Sequence, residues 1–368
     1  MISKKDNRIG NPVMIVIATM LWAVGMLYVS GIGQVYKVYD RTMLIVLTVL
    51  GYYILKGRFR VIKKQITYIL VFVILQNLYF WAAYGRTYVS YLCLYFMVAL
   101  FSKVKITDRQ IRIIGLIYGI LGGVLLVVIN YTSILSGWNS NTLAMQAFFS
   151  YVVFASAISK VRKWWTLLVI LLYSIVYFQM LDMLNSRSAV LLSIVALLCV
   201  FKVIPIKRML TKKTTLLIAL LPLIIAVFVV CIRNTSMVIS LNQWSLSQFH
   251  KPLFNGRDEL WKAGVDTWQN HILIGSSNLA TPWHNSAVSC LVGLGALGYI
   301  VWIYIINYCW TSALKWIDDD GILGLLTAFM VIWIQQSVEL GMISTNANPL
   351  IFTILGLLMA RINTLRKY

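Results

Sequence analysis

The residues best suited to chemistry in this chain include three histidines, one of which stands directly before an apolar run. They are His250, His271 and His284, and His284 belongs to the stretch "ATPWHNSAV" (280–288). Histidine takes up a proton near neutral pH more readily than any other side chain. The spacings of 21 and 13 residues match no standard zinc-ligand pattern. We therefore interpret His284 as a candidate general base, with a zinc site as the alternative.

Four arginines form a second group with a shared chemistry. An arginine keeps its charge and offers a planar fork of donors that fits phosphate oxygens, so several arginines together suit a diphosphate. The candidates for this role are Arg86, Arg187, Arg233 and Arg257.

Two of these arginines also have simpler interpretations. Arg187 stands at the start of an apolar run, where its side chain either reaches water or faces a polar pocket. The polar residues that flank it favour the pocket; they are Asn185, Ser186 and Ser188. Arg257, in "NGRDELW", either binds a phosphate or pairs with an acid of its own helix, Asp258 or Glu259.

Two carboxylates lie near the ends of apolar runs. Glu339 belongs to "QQSVELGMISTNANP", and Asp182 precedes Arg187 by five residues. Because acids in membrane-embedded regions are usually paired or functional, we expect Glu339 to pair with an arginine; proton coupling is the alternative. Asp182 has the same two interpretations. Both are candidate catalytic residues beside His284.

The scaffold that must position these side chains is predicted to be a bundle of membrane-spanning helices. The chain has 368 residues, of which 60% are hydrophobic and 12% charged, with a mean hydropathy of +0.82. Runs of roughly 17 to 25 apolar residues cross a bilayer as helices, because lipid leaves backbone groups no other partner. We predict an all-α fold with about twelve spans, near residues 12–30, 42–55, 66–84, 87–101, 111–131, 142–159, 164–182, 188–204, 214–232, 285–309, 321–338 and 348–362.

The basic residues predict the orientation of these spans. With both termini in the cytoplasm, 24 of the 32 lysines and arginines fall in cytoplasmic loops, as the positive-inside rule requires. The other eight, which include all four candidate arginines, fall on the external side. Topology and attraction to anionic lipid thus explain the net charge of +21 without nucleic-acid binding.

One long connection divides the chain. Residues 1–232 hold the first nine predicted spans, residues 233–284 form an external loop, and residues 285–368 hold the last three. Within the loop, "NGRDELWKAGVDTWQNH" has the period of an amphipathic helix that Asn255 can cap. Its two tryptophans, Trp261 and Trp268, are expected to rest either on the lipid interface or on the helix bundle.

Several other activities lack their motifs. The sequence contains no Walker P-loop, no G-x-G-x-x-G after a strand and no G-x-S-x-G elbow, so ATP-driven and nicotinamide mechanisms have no support. The aspartates 318–320 resemble a metal-binding motif of some enzymes. They are predicted in the cytoplasm at the start of a helix, where capping and the helix dipole explain them. No cofactor and no metal are predicted.

Five features follow one another from residue 137 to the end of the chain. They are "GWNSNTLAM" (137–145), "SRSAVLLSIVALL", "FNGRDELWKAG" in the long loop, "IGSSNLATPWHNSAVSCLVGLGALGYI", and a glutamate in the eleventh span. In this order they resemble the O-antigen ligase and polymerase superfamily. The first 130 residues match it only in hydropathy.

The resemblance implies a GT-C-type membrane glycosyltransferase that is inverting and independent of metal. It would act on undecaprenyl-diphosphate-linked glycans at the outer, periplasmic face of the bacterial cytoplasmic membrane. It implies that Arg187 and Arg257 hold the diphosphate and that His284 acts near the acceptor hydroxyl. The further candidates are Arg86 and Arg233 for the diphosphate and Asn141, Trp283 and Asn285 for the substrate, although Asn285 can also cap a helix.

Three functions are weighed on this basis. We favour a polymerase that joins lipid-linked repeat units into O-antigen, capsule or exopolysaccharide over a ligase that passes the glycan to lipid A core. A transporter is least favoured, because the ionisable residues gather at the ends of the spans. The predicted partners are the lipid-linked oligosaccharide and membrane lipid, with a flippase and a chain-length regulator as further candidates.

Overall fold

The computed structural model describes most of the chain, and each regular element in the described part is a helix. The described residues are 12–29, 51, 64–85, 89–101, 103–158, 164–250, 252–343 and 347–366. The helices are α1 (Val13–Val29), α2 (Lys64–Tyr84), α3 (Val89–Phe101), α4 (Asp108–Tyr131), α5 (Ser140–Ile158), α6 (Trp164–Asp182), α7 (Arg187–Val200), α8 (Ile206–Met209), α9 (Lys212–Ile232), α10 (Ser236–Phe249), α11 (Arg257–Gln269), α12 (Ser286–Leu314), α13 (Asp320–Gln335) and α14 (Pro349–Leu365).

The predicted all-helical class is confirmed for these residues, and each predicted span except the second coincides with a helix to within a few residues. The second span, 42–55, lies outside the described residues apart from residue 51. By length and composition, five helices of the described part are able to cross a membrane: α4, α5, α6, α9 and α12. Shorter apolar helices accompany them. These helices support a membrane bundle, and the count of twelve spans stays a prediction.

The bundle has inner helices and outer helices. The apolar stretch of α5 is 89% buried, whereas those of α6 and α9 are only 22% and 28% buried. α13 and α14, like α5, are buried along almost their whole length. Because α6 and α9 leave large apolar side chains exposed, such as Val176 and Phe228, we infer that these faces contact lipid rather than water.

Polar contacts concentrate at two opposite ends of the bundle. At one end, which we call the Glu339 end, the chain enters α7 and α12 and leaves α13. At the other, the Arg361 end, it enters α13 and leaves α14. Helix α13 connects the two regions, because it begins at the Arg361 end and finishes at the Glu339 end.

The Arg361 end is closed by a buried ion pair. The Arg361 side chain, only 2% exposed, donates from Nη2 to Asp319 Oδ2 at 2.7 Å and from Nη1 to the carbonyl of Ile106 at 3.2 Å. Asp319 also accepts from the amide of Ile322 at 3.0 Å and so caps α13. The predicted capping role of the aspartates is confirmed for Asp319. Its pairing with Arg361 was not predicted.

Helix α12 is broken, and a loop fills the break. Gly295 has φ 70° and ψ −176°, which interrupts the helical hydrogen bonds. The amide of Ser276 donates to Val292 O, and the amide of Ala296 donates to Ile272 O, each at 2.8 Å. Gln76 donates to the carbonyl of Leu294 at 3.1 Å. The freed backbone groups are thereby paired, and the loop that leads towards residue 284 is held against the bundle.

The long connection contains two helices, of which the sequence indicated one. The predicted helix is α11, which begins at Arg257, but Asn255 does not cap it: the N-cap is Gly256, with φ 77° and no side-chain bond. The prediction was wrong because Asn255 itself adopts a left-handed conformation in the preceding turn. Trp261 is buried and donates to Trp283 O at 2.7 Å, so it rests on the bundle. The uncharged helix α10 was not foreseen.

Candidate active site

Glu339 stands at the centre of a polar cluster at its end of the bundle. α13 ends at Gln335, so Glu339 follows the helix rather than lying within it. The residue is 8% exposed. Its Oε1 accepts from Arg257 Nη2 at 2.5 Å and from the Ser188 hydroxyl at 3.5 Å, and its Oε2 lies 3.3 Å from His284 Nδ1. Side chains from three other parts of the chain therefore converge on this carboxylate.

Arg257 reaches this cluster as the first residue of α11. Gly256 precedes it at φ 77°, a conformation that glycine adopts without strain, and this turn sets the start of the helix. The expected pairing of Glu339 with an arginine is confirmed, and Arg257 is not paired with the acids of its own helix. Because the two side chains are only 22% and 11% exposed, water screens their attraction less than that of a surface pair.

His284 is held in an uncommon backbone conformation beside the carboxylate. Its φ is 50°, in the left-handed region that non-glycine residues enter at a cost of order 1–3 kcal/mol. Residues kept in such conformations concentrate at functional sites. The Nδ1 edge of the ring faces Glu339, while the side chain as a whole is 35% exposed. The imidazole thus has one fixed edge and remains accessible from outside.

Asn285 and Trp283 support His284 from both sides. Asn285 is fully buried; its Oδ1 caps α12 through the amides of Ala287 and Val288, and its Nδ2 donates to two carbonyls, at 2.8 and 2.9 Å. The capping interpretation of Asn285 is confirmed. Trp283 is also buried, and its ring packs where Gly264 lets α11 approach α12 closely. Both neighbours of the histidine are therefore anchored in the bundle.

Arg187 opens α7 at the same end of the bundle. The residue after it, Ser188, is the one whose hydroxyl reaches Glu339, and the Arg187 side chain itself is exposed. The start of α7 is thus next to the cluster, with a cation on its accessible side.

The other predicted site residues lie apart from the cluster. Asp182 ends α6 and is exposed, Arg233 follows α9 and is half-buried, and Asn141 is exposed in the first turn of α5. Within the described residues these three side chains form no hydrogen bond or ion pair. Arg86 lies outside the described residues.

The cluster brings together an imidazole, a carboxylate and a guanidinium. When a carboxylate accepts from Nδ1–H, the imidazole keeps the tautomer whose Nε2 can accept a proton. Arginine has five donors, and Glu339 uses Nη2, so the guanidinium retains capacity for an anion. The arrangement is therefore able to combine proton removal with anion binding. In the described part of the chain, no three metal-ligand side chains are grouped.

Clusters of this kind occur in unrelated enzymes, so we compared the chain with known protein families. Residues 174–303 match the family model described as O-antigen ligase, Wzy_C. This region belongs to the O-antigen ligase and polymerase superfamily. The family match includes Arg187, Arg257 and His284, while Glu339 lies beyond it. No curated protein and no solved structure matches the chain significantly.

Members of the O-antigen ligase family are glycosyltransferase-like enzymes that use a lipid-linked glycan. The family and the apolar helices together indicate a multi-pass membrane protein of polysaccharide biosynthesis. The resemblance predicted from the sequence is confirmed at this level.

Two features of the site were missed from the sequence. Ser188 was noted only as a polar neighbour of Arg187, although its hydroxyl is the group that contacts Glu339. The break in α12 was also missed, since residues 285–309 were predicted to form one continuous span. The glycines in "CLVGLGALG" are the signal from which the break could have been predicted, because isolated glycines often mark a close approach of another backbone segment.

Proposed function

We propose that the chain is a polymerase that joins undecaprenyl-diphosphate-linked oligosaccharide units into a surface polysaccharide at the outer face of the cytoplasmic membrane. The observation that carries this proposal is the attachment of His284 and Arg257 to one carboxylate, Glu339, beside a family match to O-antigen ligase. The donor is activated by its own diphosphate, so the reaction requires no nucleotide.

His284 is proposed as the general base. The acceptor sugar hydroxyl attacks the anomeric carbon of the donor, and its proton passes to His284 Nε2. Glu339 holds Nδ1 at 3.3 Å and stabilises the imidazolium that forms, so it is a positioning residue. A general base of this kind contributes roughly 10²–10⁴-fold to the rate. Attack opposite the leaving group inverts the anomeric configuration.

The arginines are proposed to receive the leaving group. As the bond from the anomeric carbon to oxygen breaks, negative charge builds on the polyprenyl diphosphate, and cations there stabilise the transition state more than the ground state. Arg257 and Arg187 are the first candidates because both lie beside Glu339 or its contact Ser188. Arg233 and Arg86 remain further candidates for the diphosphate, Asp182 remains a catalytic candidate, and Asn141 remains a candidate for the sugars. This charge supply requires no divalent metal.

The family description favours a second candidate, an O-antigen ligase. A ligase uses the same donor and the same chemistry but transfers the finished glycan to lipid A core. Only the acceptor separates the two activities.

To test this, purified protein in detergent is incubated with lipid-linked repeat units, in one reaction without lipid A core and in another with it. The proposal predicts a ladder of products from the repeat units alone, unchanged by EDTA. A single product that requires lipid A core would establish the ligase instead. Loss of activity in EDTA that a divalent ion restores would contradict the metal-independent mechanism.

A further inference from the structure

The Arg361 end contains a cavity that the proposed reaction does not use. It has a volume of about 480 Å³ and lies between the last turn of α7, the first turns of α13 and the end of α5. The connection from α7 through α8 forms its remaining wall. The cluster around Glu339 lies at the other end of α7 and α13. The cavity is therefore separate from the candidate active site.

The mouth of the cavity is polar and carries a net positive charge. Three cations line it, Lys202, Lys207 and Arg208, against the two acids Asp318 and Asp320. Lys207 already pairs with Asp318. Lys202 and Arg208 are both exposed, and Lys202 holds a left-handed backbone at φ 60°. These two cations are the groups best placed to receive an anion from solvent or from a membrane.

The interior of the cavity is different in character. The side chains that line it beyond the mouth are apolar or small, among them Val200, Leu323 and Thr327. From Asp320 at the mouth to Thr327 the helix rises about 10 Å, since each residue adds 1.5 Å. The cavity thus joins a cationic mouth to an apolar groove along a helix that belongs to the bundle.

We propose that this cavity binds an anionic phospholipid. Its phosphate would sit between Lys202 and Arg208, and the start of an acyl chain would lie along Val200, Leu323 and Thr327. A free phosphate uses only the mouth, whereas a lipid fills both the mouth and the groove. Basic pockets between membrane helices are known to hold lipid headgroups in this way. The lipid would bridge the ends of α7 and α13, whose opposite ends supply Ser188 and Glu339.

The test measures lipid retention by the full-length protein in detergent. Delipidated protein is titrated with phosphatidylglycerol, and bound lipid is counted by native mass spectrometry alongside the midpoint of thermal unfolding. The proposal predicts one retained phosphatidylglycerol, a raised midpoint, and at least tenfold weaker binding in the Lys202→Gln/Arg208→Gln variant. Lys212→Gln/Lys213→Gln, which removes the same charge from exposed residues outside the cavity, keeps wild-type binding.

Three results would overturn the proposal. Equal weakening in both double variants would mean that the lipid responds to net charge alone. Equal retention of phosphatidylcholine or phosphatidylethanolamine would mean that the phosphate charge is not recognised. A rise of the unfolding midpoint by inorganic phosphate as large as that by phosphatidylglycerol would mean that the site holds the free anion and makes no use of the groove. The unfolding midpoint without lipid shows whether each variant is folded.

Discussion

The two carboxylate oxygens of Glu339 contact different side chains. One oxygen holds the guanidinium of Arg257 and the other faces the imidazole of His284. The imidazole and the guanidinium are thereby held at a set distance from each other. A displacement of the carboxylate would disturb both groups together, because it is the contact that they share.

Replacement of Glu339 by glutamine tests this role. Glu339→Gln keeps the size of the side chain but removes the charge that stabilises the imidazolium. We expect kcat to fall by an appreciable part of the ~10²–10⁴-fold that a general base contributes, while the KM for the acceptor stays unchanged. Steady-state kinetics on the purified variant measure both. Glu339→Asp, which retains the charge, should recover part of kcat; a wild-type kcat in Glu339→Gln would contradict the role.

For single residues, the sequence identified the members of the cluster but not most of the contacts between them. His284, Arg257 and Glu339 could be selected because charged and titratable side chains are rare in so apolar a chain. That Arg257 pairs with Glu339, 82 residues away, depends on tertiary packing that local spacing does not contain. The failed cap at Asn255 has a local cause instead, since the turn before α11 holds Asn255 in a left-handed conformation.

At the scale of elements, the break in α12 determines how the loop before His284 is held. Gly295 occupies a backbone region that is essentially restricted to glycine. A side chain there would also collide with the backbone of Ile274 and Gly275, where an added Cβ would come within 2.5 Å. The loop and the broken helix therefore require a glycine at this position on two separate grounds.

An alanine at Gly295 is expected to destabilise the fold. Gly295→Ala combines a strained φ, worth about 1–3 kcal/mol, with a steric clash. Gly137→Ala is the matched control, because Gly137 also has a positive φ, 91°, but open space around its Cα. We expect a clearly lower thermal unfolding midpoint for Gly295→Ala than for Gly137→Ala, measured in detergent. Equal midpoints would show that the close packing of the loop in the break contributes nothing.

Hydropathy predicted the helices well but not their interruptions. Long apolar runs gave helices such as α4 and α9 close to their true bounds, since lipid-compatible length sets both. Hydropathy averages over many residues, so a break of one or two residues at Gly295 does not register. The helix α10 was missed because its apolar residues do not form a single stripe: Val238 is buried, while Met237, Ile239 and Trp244 are exposed on other sides.

At the scale of the whole molecule, the two ends of the bundle have different chemistry. The Glu339 end holds a partly exposed histidine and arginine against a carboxylate, whereas the Arg361 end has a buried arginine–aspartate pair and a cavity lined by three cations. This asymmetry agrees with the distribution of basic residues in the sequence, which predicts the Arg361 end in the cytoplasm. The orientation follows from charge alone and is open to a direct test.

Reporter fusions test the orientation. A reporter active only outside the cytoplasm, inserted after residue 240, should be active, and the same reporter inserted after residue 210 should be silent. The prediction rests on the cytoplasmic excess of lysine and arginine, which sets the orientation of membrane helices. The reverse pattern would place His284 in the cytoplasm and exclude a reaction at the outer face.

The proposed roles of His284 and Arg257 in the transfer of a lipid-linked glycan can be tested on the product ladders of purified variants. His284→Ala and Arg257→Ala are compared with His271→Ala and Lys262→Ala, which alter exposed residues of the same segment outside the cluster. We expect the first two variants to remain folded in detergent but to form no ladder, and the two controls to retain the ladder. A wild-type ladder from folded His284→Ala and Arg257→Ala protein would contradict it.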